Sequence, residues 1–438
     1  MTSKKMAFEA TLEFAREQDR IDPLAHIRER FHIPPHGEGQ AYYFCGNSLG
    51  LQARSTADYV QRELKIWAQK GVEGHFERSA DAPEREPWFS YHKMFSESLA
   101  RLCGAQPDEV VSMNQLTVNL HLLMVSFFRP NGKRRKILTE GGAFPSDQYA
   151  LETQLRHHGL DPAETLIELW PREGEQTLRT EDIIAQIDAA GEELALVMMA
   201  GVQYYTGQLF DMQAITAAAH RNGALAGFDL AHAMGNVELH LHDWGVDFAT
   251  WCSYKYLNSG PGGVSGVFVH EKHGNDPSTP RFAGWWGNRE SERFEMKKGF
   301  RPAPGAQGWQ LSNAPVLSMA AHRAALDIFD EVGMAAISAK RTRLTAWMEF
   351  LIDRVRAAGP EHMPVIITPR APEERGAQLS IIVPTGGRAV FDKLTAGGCV
   401  LDWREPDVIR GAPAPLYNSF EDVWHFGRIL AEACGVSL

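Results

Sequence analysis

Between residues 110 and 270, short apolar runs alternate with amphipathic segments, and this alternation limits the fold more than any other feature of the chain. The runs are Val110-Val111-Ser112, Lys136 to Thr139, Leu194 to Met199, Ala224 to Phe228, Phe248 to Cys252 and Ser265 to His270. Near-continuous apolar runs, without polar alternation, mark strands buried on both faces. The segments between them include helices, at about 117–128, from Pro145 to His157, and from Asp211 to Asn222 with Asp211 as N-cap and Gly223 as stop. Strands joined by helices in this way build a mostly parallel sheet covered on both faces. Upstream, residues 7–18 and 53–70 read as helices and 71–90 as a loop. The pattern changes after residue 320. Helices from Ala320 to Phe329 and Ala336 to Ala357 precede strands at Val365 to Ile367, Leu379 to Val383 and Val400 to Asp402. Further helices run from Arg388 to Leu394 and Phe420 to Cys434. The expected fold class is α/β. A segment 1–45 packs with a small domain, 46–320 forms a large domain with a mostly parallel central sheet, and 321–438 forms a smaller α+β C-terminal domain.

The chemistry collects at the ends of these strands. The run Ala224 to Phe228 ends in Asp229, with His232 three residues later, and Phe248 to Cys252 leads into Ser253-Tyr254-Lys255-Tyr256. Asp229 and Lys255 are 26 residues apart, and both lie where an open α/β sheet binds ligands, past the carboxyl ends of its strands. An acid that keeps a pyridine nitrogen protonated, and a lysine that forms a Schiff base, are what pyridoxal 5'-phosphate (PLP) requires. His232 is placed to contact the cofactor. A phosphate needs N–H donors at a helix start, and Leu116 and Thr117 open the helix after the first strand. Phe144-Pro145-Ser146-Asp147 follows the next strand, with Phe144 placed to stack on a ring and Ser146 or Asp147 to meet polar atoms. Arg410, beside Val408-Ile409, suits two-pronged capture of a carboxylate.

Other chemistries are disfavoured. The formal net charge is −11 and no long basic run occurs, so neither nucleic acid nor an anionic membrane surface is an expected partner. No apolar run reaches transmembrane length, and residues 1–30 are charged without a signal-like apolar stretch. The five cysteines are widely spaced with no Cys-x-x-Cys, which fits reduced thiols and a cytoplasmic setting. His240 and His242 share a face if extended, but no third ligand is evident in the sequence, so no metal site is expected. Gly260 to Gly266 does not open a helix and is not a dinucleotide loop.

Together these segments resemble the kynureninase family of fold-type-I PLP enzymes, in the class-V aminotransferase-like superfamily. The resemblance rests on Tyr43 to Gly50, Asn114 to His121, Phe144 to Asp147, Tyr204 to Gln208, Asp229 to His232 and Ser253 to Tyr256. It extends through Gly284-Trp285-Trp286-Gly287, Leu311-Ser312-Asn313 and Pro415 to Phe420. It implies that Lys255 carries PLP and that Asp229 pairs with the pyridine nitrogen. It implies further that Leu116, Thr117, Phe144, Pro145, Ser146, Asp147, Ala200, His232 and Tyr254 complete the cofactor cradle. Lys255, Tyr254 and Asp229 are then the catalytic set. Trp285 and Asn313 would reach the site from a neighbouring subunit, giving a homodimer. His75, Ser312, Asn313 and Asn47 would meet the substrate, and Arg410 its α-carboxylate. The implied reaction is hydrolysis of L-kynurenine, or its 3-hydroxy form, to an anthranilate and L-alanine, in tryptophan catabolism or NAD biosynthesis.

The chain departs from the family pattern at Ala200, where relatives carry a hydroxyl, and in the charged segment between His75 and Trp88. The Asp-x-x-His to Lys pattern is shared with cysteine desulfurases and selenocysteine lyases. These need a mobile cysteine, for which Cys399 after Gly397-Gly398 is the candidate. A non-catalytic PLP-binding protein is the third reading. It predicts a Schiff base without turnover.

Overall fold

The computed structural model describes residues 8–78, 85–359 and 363–438. It divides into two compact units. The larger comprises residues 55–204 and 209–331; the smaller joins residues 1–54, 205–208 and 332–438.

In the larger unit, seven strands of the described residues form one sheet: β1 (Val110–Ser112), β2 (Lys136–Glu140), β3 (Leu166–Leu169), β4 (Leu194–Ala200), β5 (Leu225–Asp229), β6 (Phe248–Trp251) and β7 (Gly266–Val269). Their order is β1-β7-β6-β5-β4-β2-β3. From β6 to β3 every pairing is parallel, and β7 runs antiparallel to both β6 and β1. The predicted strands are all present within a residue or two. Strand β3 has no counterpart among them, because it is a short edge strand broken by the charge of Glu168. Helices α1 (Leu116–Phe127), α2 (Pro145–His157), α3 (Met212–Arg221) and α4 (Val316–Val332) belong to this unit. Pro145 opens α2 at the position where a missing N–H costs nothing, and the Asp211 carboxylate caps α3 by accepting from Ala214 N at 2.9 Å.

The expected loop at 71–90 is partly ordered as two 3₁₀ turns, Gly71–His75 and Trp88–Phe95; residues 79–84 lie outside the described set. A buried ion pair nucleates the second turn. Arg85 and Glu63 meet at 2.6 Å, and the Trp88 indole N–H donates to the same carboxylate at 2.7 Å. Such a pairing joins residues 22 apart and leaves no mark in a local sequence window.

In the smaller unit, β8 (Val365–Ile366), β9 (Leu379–Ile382), β10 (Asp402–Arg404) and β11 (Val408–Gly411) form an antiparallel sheet ordered β8-β9-β11-β10. Helices α5 (Met334–Ala358), α6 (Gly387–Ala396) and α7 (Phe420–Ala433) cover it. Ser419 and Asp422 form a reciprocal capping box at the start of α7. The N-terminal helix Leu12–Arg20 packs here, with Phe14 against Trp347 at 4.9 Å. A buried pair, Lys340 with Asp22 at 2.7 Å, ties α5 to the N-terminal segment. No helix of the described residues is long and apolar enough to cross a membrane.

Strand β5 sits flush against β6 because Gly227 pairs with Phe248 and has no side chain to hold it away. A Cβ at Gly227 would lie 2.1 Å from the Phe248 ring, which is itself stacked on Phe127 at 4.6 Å. Gly227→Ala is therefore expected to destabilise the protein by roughly 1–3 kcal/mol and to weaken PLP retention, since Asp229 is two residues on. Thermal midpoints of the two proteins check this; an unchanged midpoint would mean that β5 and β6 can part without cost.

Candidate active site

Three side chains with acidic groups converge at the carboxyl edge of the larger sheet. Glu140 ends β2, Asp229 ends β5, and Asp147 lies in the first turn of α2. All three are buried. Ala200 ends β4 between the first two, pairs with Asp229, and donates its N–H to Glu140 at 3.2 Å. Asp229 Oδ1 accepts from Ala231 N at 2.7 Å, and Asp229 and Asp147 are hydrogen-bonded through their carboxyl groups. Burial is the main force on each. It pushes the Asp147 carboxyl well above the usual range, with the charge of Asp229 adding to the effect. It raises Asp229 less, because the Lys255 ammonium, the Asp147 hydrogen bond and the Ala231 N–H all favour the charged form. It pushes Glu140 up to about 7. The arrangement is one carboxyl, Asp229, whose charged form is favoured against burial by Lys255, Asp147 and Ala231 N–H.

Lys255 follows β6. Its Nζ lies 3.1 Å from His232 Nε2 and 5.8 Å from the centre of the Phe144 ring. His232 is buried on the turn after Asp229, and the Lys255 charge acts on the Asp229 carboxylate. Tyr254 packs beside Leu116, Ala231 and Cys252. Burial, then the Cys252 sulfur, raise its phenol above the ordinary value, so it holds its proton at neutral pH.

These residues fit PLP on the chemistry of the donor set. Asp147 Oδ1 is a buried acceptor with no hydrogen-bond partner, next to the carboxylate a pyridine N–H would meet. Leu116 and Thr117 form the first turn of α1, whose N–H groups have no acceptor within the helix. Asn114 turns the chain into that helix through a positive φ of 46°.

The remaining predicted residues lie as follows. Ser146 is in the first turn of α2 behind Pro145. Trp285 is 46% exposed and donates its indole N–H to Arg293 O at 2.9 Å. Ser312 and Asn313 are exposed. His75 meets Trp88 edge to face at 5.3 Å, and its Nδ1 lies 3.1 Å from Val72 O. In the smaller unit, Arg410 is buried and ion-paired with Asp402. Asn47 is fully buried and donates to Gln378 Oε1 at 3.0 Å, while its own Oδ1 has no donor. Cys399 is fully buried, its backbone pairs with Tyr42, and burial pushes its thiol up to about 12. That is an inert thiol, unlike the mobile nucleophile a desulfurase requires.

Glu140 is a candidate site residue that the sequence reading misses. It ends an apolar strand and precedes Gly141-Gly142, the same strand-end signal that marks Asp229.

The fold and this cradle define a PLP-dependent enzyme of the class-V aminotransferase family, whose pattern the chain matches over residues 91–363. Solved structures agree on the fold. A cysteine desulfurase from Escherichia coli superposes with a TM-score of 0.74 at 14% identity, covering 94% of this chain and 99% of that one. The cystine C–S lyase C-DES, in complex with cysteine persulfide, gives 0.72 at 17% identity, covering 90% and 97%. Residues 337–430 match the kynureninase C-terminal domain. Kynureninase from Flavobacterium johnsoniae is 52% identical over 97% of this chain and 98% of its own length. That from Myxococcus xanthus is 54% identical, covering 97% of each chain, and that from Nematostella vectensis is 48% identical, covering 99% and 97%. The chain belongs to the kynureninase family.

The pH response of Glu140 is open to measurement. Its folded pKa is raised from 4.5 to about 7, so between those values the folded protein keeps a proton that the unfolded chain releases. Stability from this group is full below pH 4.5 and is lost as pH rises through about 7. Glu140→Gln, still able to accept from Ala200, should be more stable than wild type at pH 8 by on the order of 1–3 kcal/mol. Thermal midpoints of the PLP-free proteins at pH 5 and pH 8 check this, and parallel shifts at both would assign Glu140 an ordinary pKa.

Proposed function

We propose that the chain hydrolyses L-kynurenine, 3-hydroxy-L-kynurenine or both to the corresponding anthranilate and L-alanine, by cleavage of the Cβ–Cγ bond. The observation that carries this reading is the buried Asp229 within reach of the Lys255 charge, with His232 3.1 Å from the Lys255 amine, in a chain about half identical to kynureninases along its whole length.

PLP, bound on Lys255, supplies an electron sink for charge developing at the substrate Cα. The protein does the rest. Asp229 holds a proton at the pyridine nitrogen, and Asp147 hydrogen-bonds Asp229 so that it stays charged. Lys255 takes the Cα proton, and His232 at 3.1 Å orients its amine. Leu116 and Thr117 offer N–H and hydroxyl donors to the phosphate, and Phe144 flanks the ring. Tyr254, which retains its proton, is the acid for the γ-carbonyl oxygen or for Cβ. Arg410 binds the α-carboxylate in exchange for Asp402, with Asn47 beside the same unit's polar core. His75, Ser312 and Asn313 meet the aryl end.

The reading includes a homodimer in which Trp285 and Asn313 serve the partner's site. An exposed aromatic patch supports it: Trp285, Phe294 and Phe76 stand open beside Phe89 and Trp286. Monomeric proteins seldom leave such a patch uncovered. A cytoplasmic setting is in keeping with five cysteines that are all unpaired.

Lys255→Ala should abolish both the Schiff-base absorbance and anthranilate release, followed by fluorescence with kynurenine and 3-hydroxykynurenine side by side. Turnover at the wild-type rate would end the scheme, and sulfide from cysteine would favour a desulfurase. Arg410→Ala should raise KM about tenfold to a hundredfold while PLP stays bound, the worth of a charge-assisted pair. Asp402→Ala in the same chain removes the stranded carboxylate and restores stability without restoring KM. An unchanged KM in either variant would assign the carboxylate to another residue.

A further inference from the structure

Along the chain, the pair His240 and His242 is too small a ligand set for a metal. The fold separates the two and gives His242 new partners. His240 is exposed and stacks edge to face on Trp244. His242 turns toward Glu109, which is fully buried just before β1, and toward His270, which follows β7. We propose that Glu109, His242 and His270 bind a divalent cation of the zinc class, at the edge of the sheet opposite Lys255.

The geometry carries the proposal. One ring nitrogen of each histidine and a Glu109 carboxylate oxygen lie within 4.8 Å of one another. The two rings stack at 5.0 Å and 16°. His242 Nδ1 is 3.0 Å from each Glu109 oxygen, and His270 Nδ1 is 3.6 Å from Oε1. An ion about 2.1 Å from two ligands that subtend roughly 90–120° holds them about 3.0–3.6 Å apart. The two edges from Glu109 to the histidines fall in this range.

The protonation pattern points the same way. His270 Nδ1 accepts from Lys272 N at 3.3 Å, so it presents a lone pair rather than a proton. That lone pair is held by the Lys272 N–H, a 3.3 Å bond that an ion would replace. The nearby Asp247, also fully buried, is committed to other partners, since His220, His273, Lys272 and Ala226 N all direct donors at it.

Glu109 is prepared as a ligand. Gln106 N and Glu271 N each donate to it at 2.8 Å and fix its plane, the kind of support that orients a metal's carboxylate. Binding costs the His242 proton and one long hydrogen bond at His270. Two imidazoles and one carboxylate suit zinc, cobalt or nickel, whereas calcium and magnesium require more oxygen ligands. A cleft of about 260 Å³, lined in part by Gln106, Pro107, His242 and Asp243, reaches the cluster at His242. The ion would clamp the turn before β1, the approach to β6 and the end of β7.

The test uses the full-length, PLP-loaded protein, stripped with a chelator and dialysed against zinc or cobalt(II). One equivalent per chain, a zinc-dependent rise in thermal midpoint, and a cobalt spectrum free of thiolate charge-transfer bands are expected. His242→Gln and His270→Gln should each weaken zinc binding more than about tenfold, since even residues that only support ligands carry 10- to 100-fold effects. His240→Gln should bind as wild type does. No stoichiometric uptake, uptake indifferent to both substitutions, or uptake lost with His240→Gln would overturn the proposal. If a glutamine variant does not fold, the wild-type cobalt spectrum decides, because a thiolate band would put the ion on a cysteine.

Discussion

The Asp229 carboxylate is a charge placed where water cannot reach it, and the architecture of the larger unit follows from keeping it there. Burying an isolated carboxylate costs several kcal/mol or more unless partners replace its water. Each partner here is delivered by a different element. The turn after β5 supplies Ala231 N, α2 supplies the Asp147 proton, and the segment after β6 supplies the Lys255 ammonium. These three converge only if β5 and β6 are adjacent and parallel and α2 begins level with their ends. The bare Gly227 against Phe248, and the Gly201 N–H donating to Asp229 O at 2.7 Å, are small local features that permit that register.

The two edges of this sheet solve the same problem with opposite outcomes. At the carboxyl edge, strand ends carry Glu140 and Asp229, whose partners do not outweigh burial, so both are shifted upward in pKa. At the other edge Asp247 collects two histidines, a lysine and a backbone N–H, which together outweigh burial and hold its carboxyl well below the ordinary range. The unpartnered Asp147 Oδ1 leaves capacity for a ligand at the first edge, and a saturated acceptor at the other fixes structure. Glu109, at that other edge, has backbone donors from Gln106 and Glu271 to hold its plane and His242 as its imidazole partner.

Much of the larger unit is legible in the sequence because its determinants are local. An apolar run followed by an acid or a lysine identifies both a strand and the edge at which its end residue sits, so Asp229 and Lys255 can be paired from the order of residues alone. Pro145 marks the start of α2, and Asp211 and Gly223 bracket α3. The illegible parts depend on pairings distant in sequence. Strand β3 exists only because β2 is beside it, and the turn at Trp88 forms around Glu63, more than twenty residues earlier. His242 acquires its partners from residues 109 and 270, which no spacing rule joins. Glu140 is the instructive exception, since its signal is as local as that of Asp229 but lacks a partner lysine to give it meaning.

Ala200 takes its place in this electrostatic scheme. A hydroxyl there would add another donor to the edge; with alanine, the strand end offers only its N–H, and Glu140 takes it. The cradle then has three carboxyl groups and one lysine. Burial raises all three acids, the charge of Asp229 adds to the rise at Glu140 and Asp147, and Lys255 opposes the rise at Asp229 and Asp147. In the proposed reading, a protonated pyridine would take the place of that ammonium as the cationic partner of Asp229.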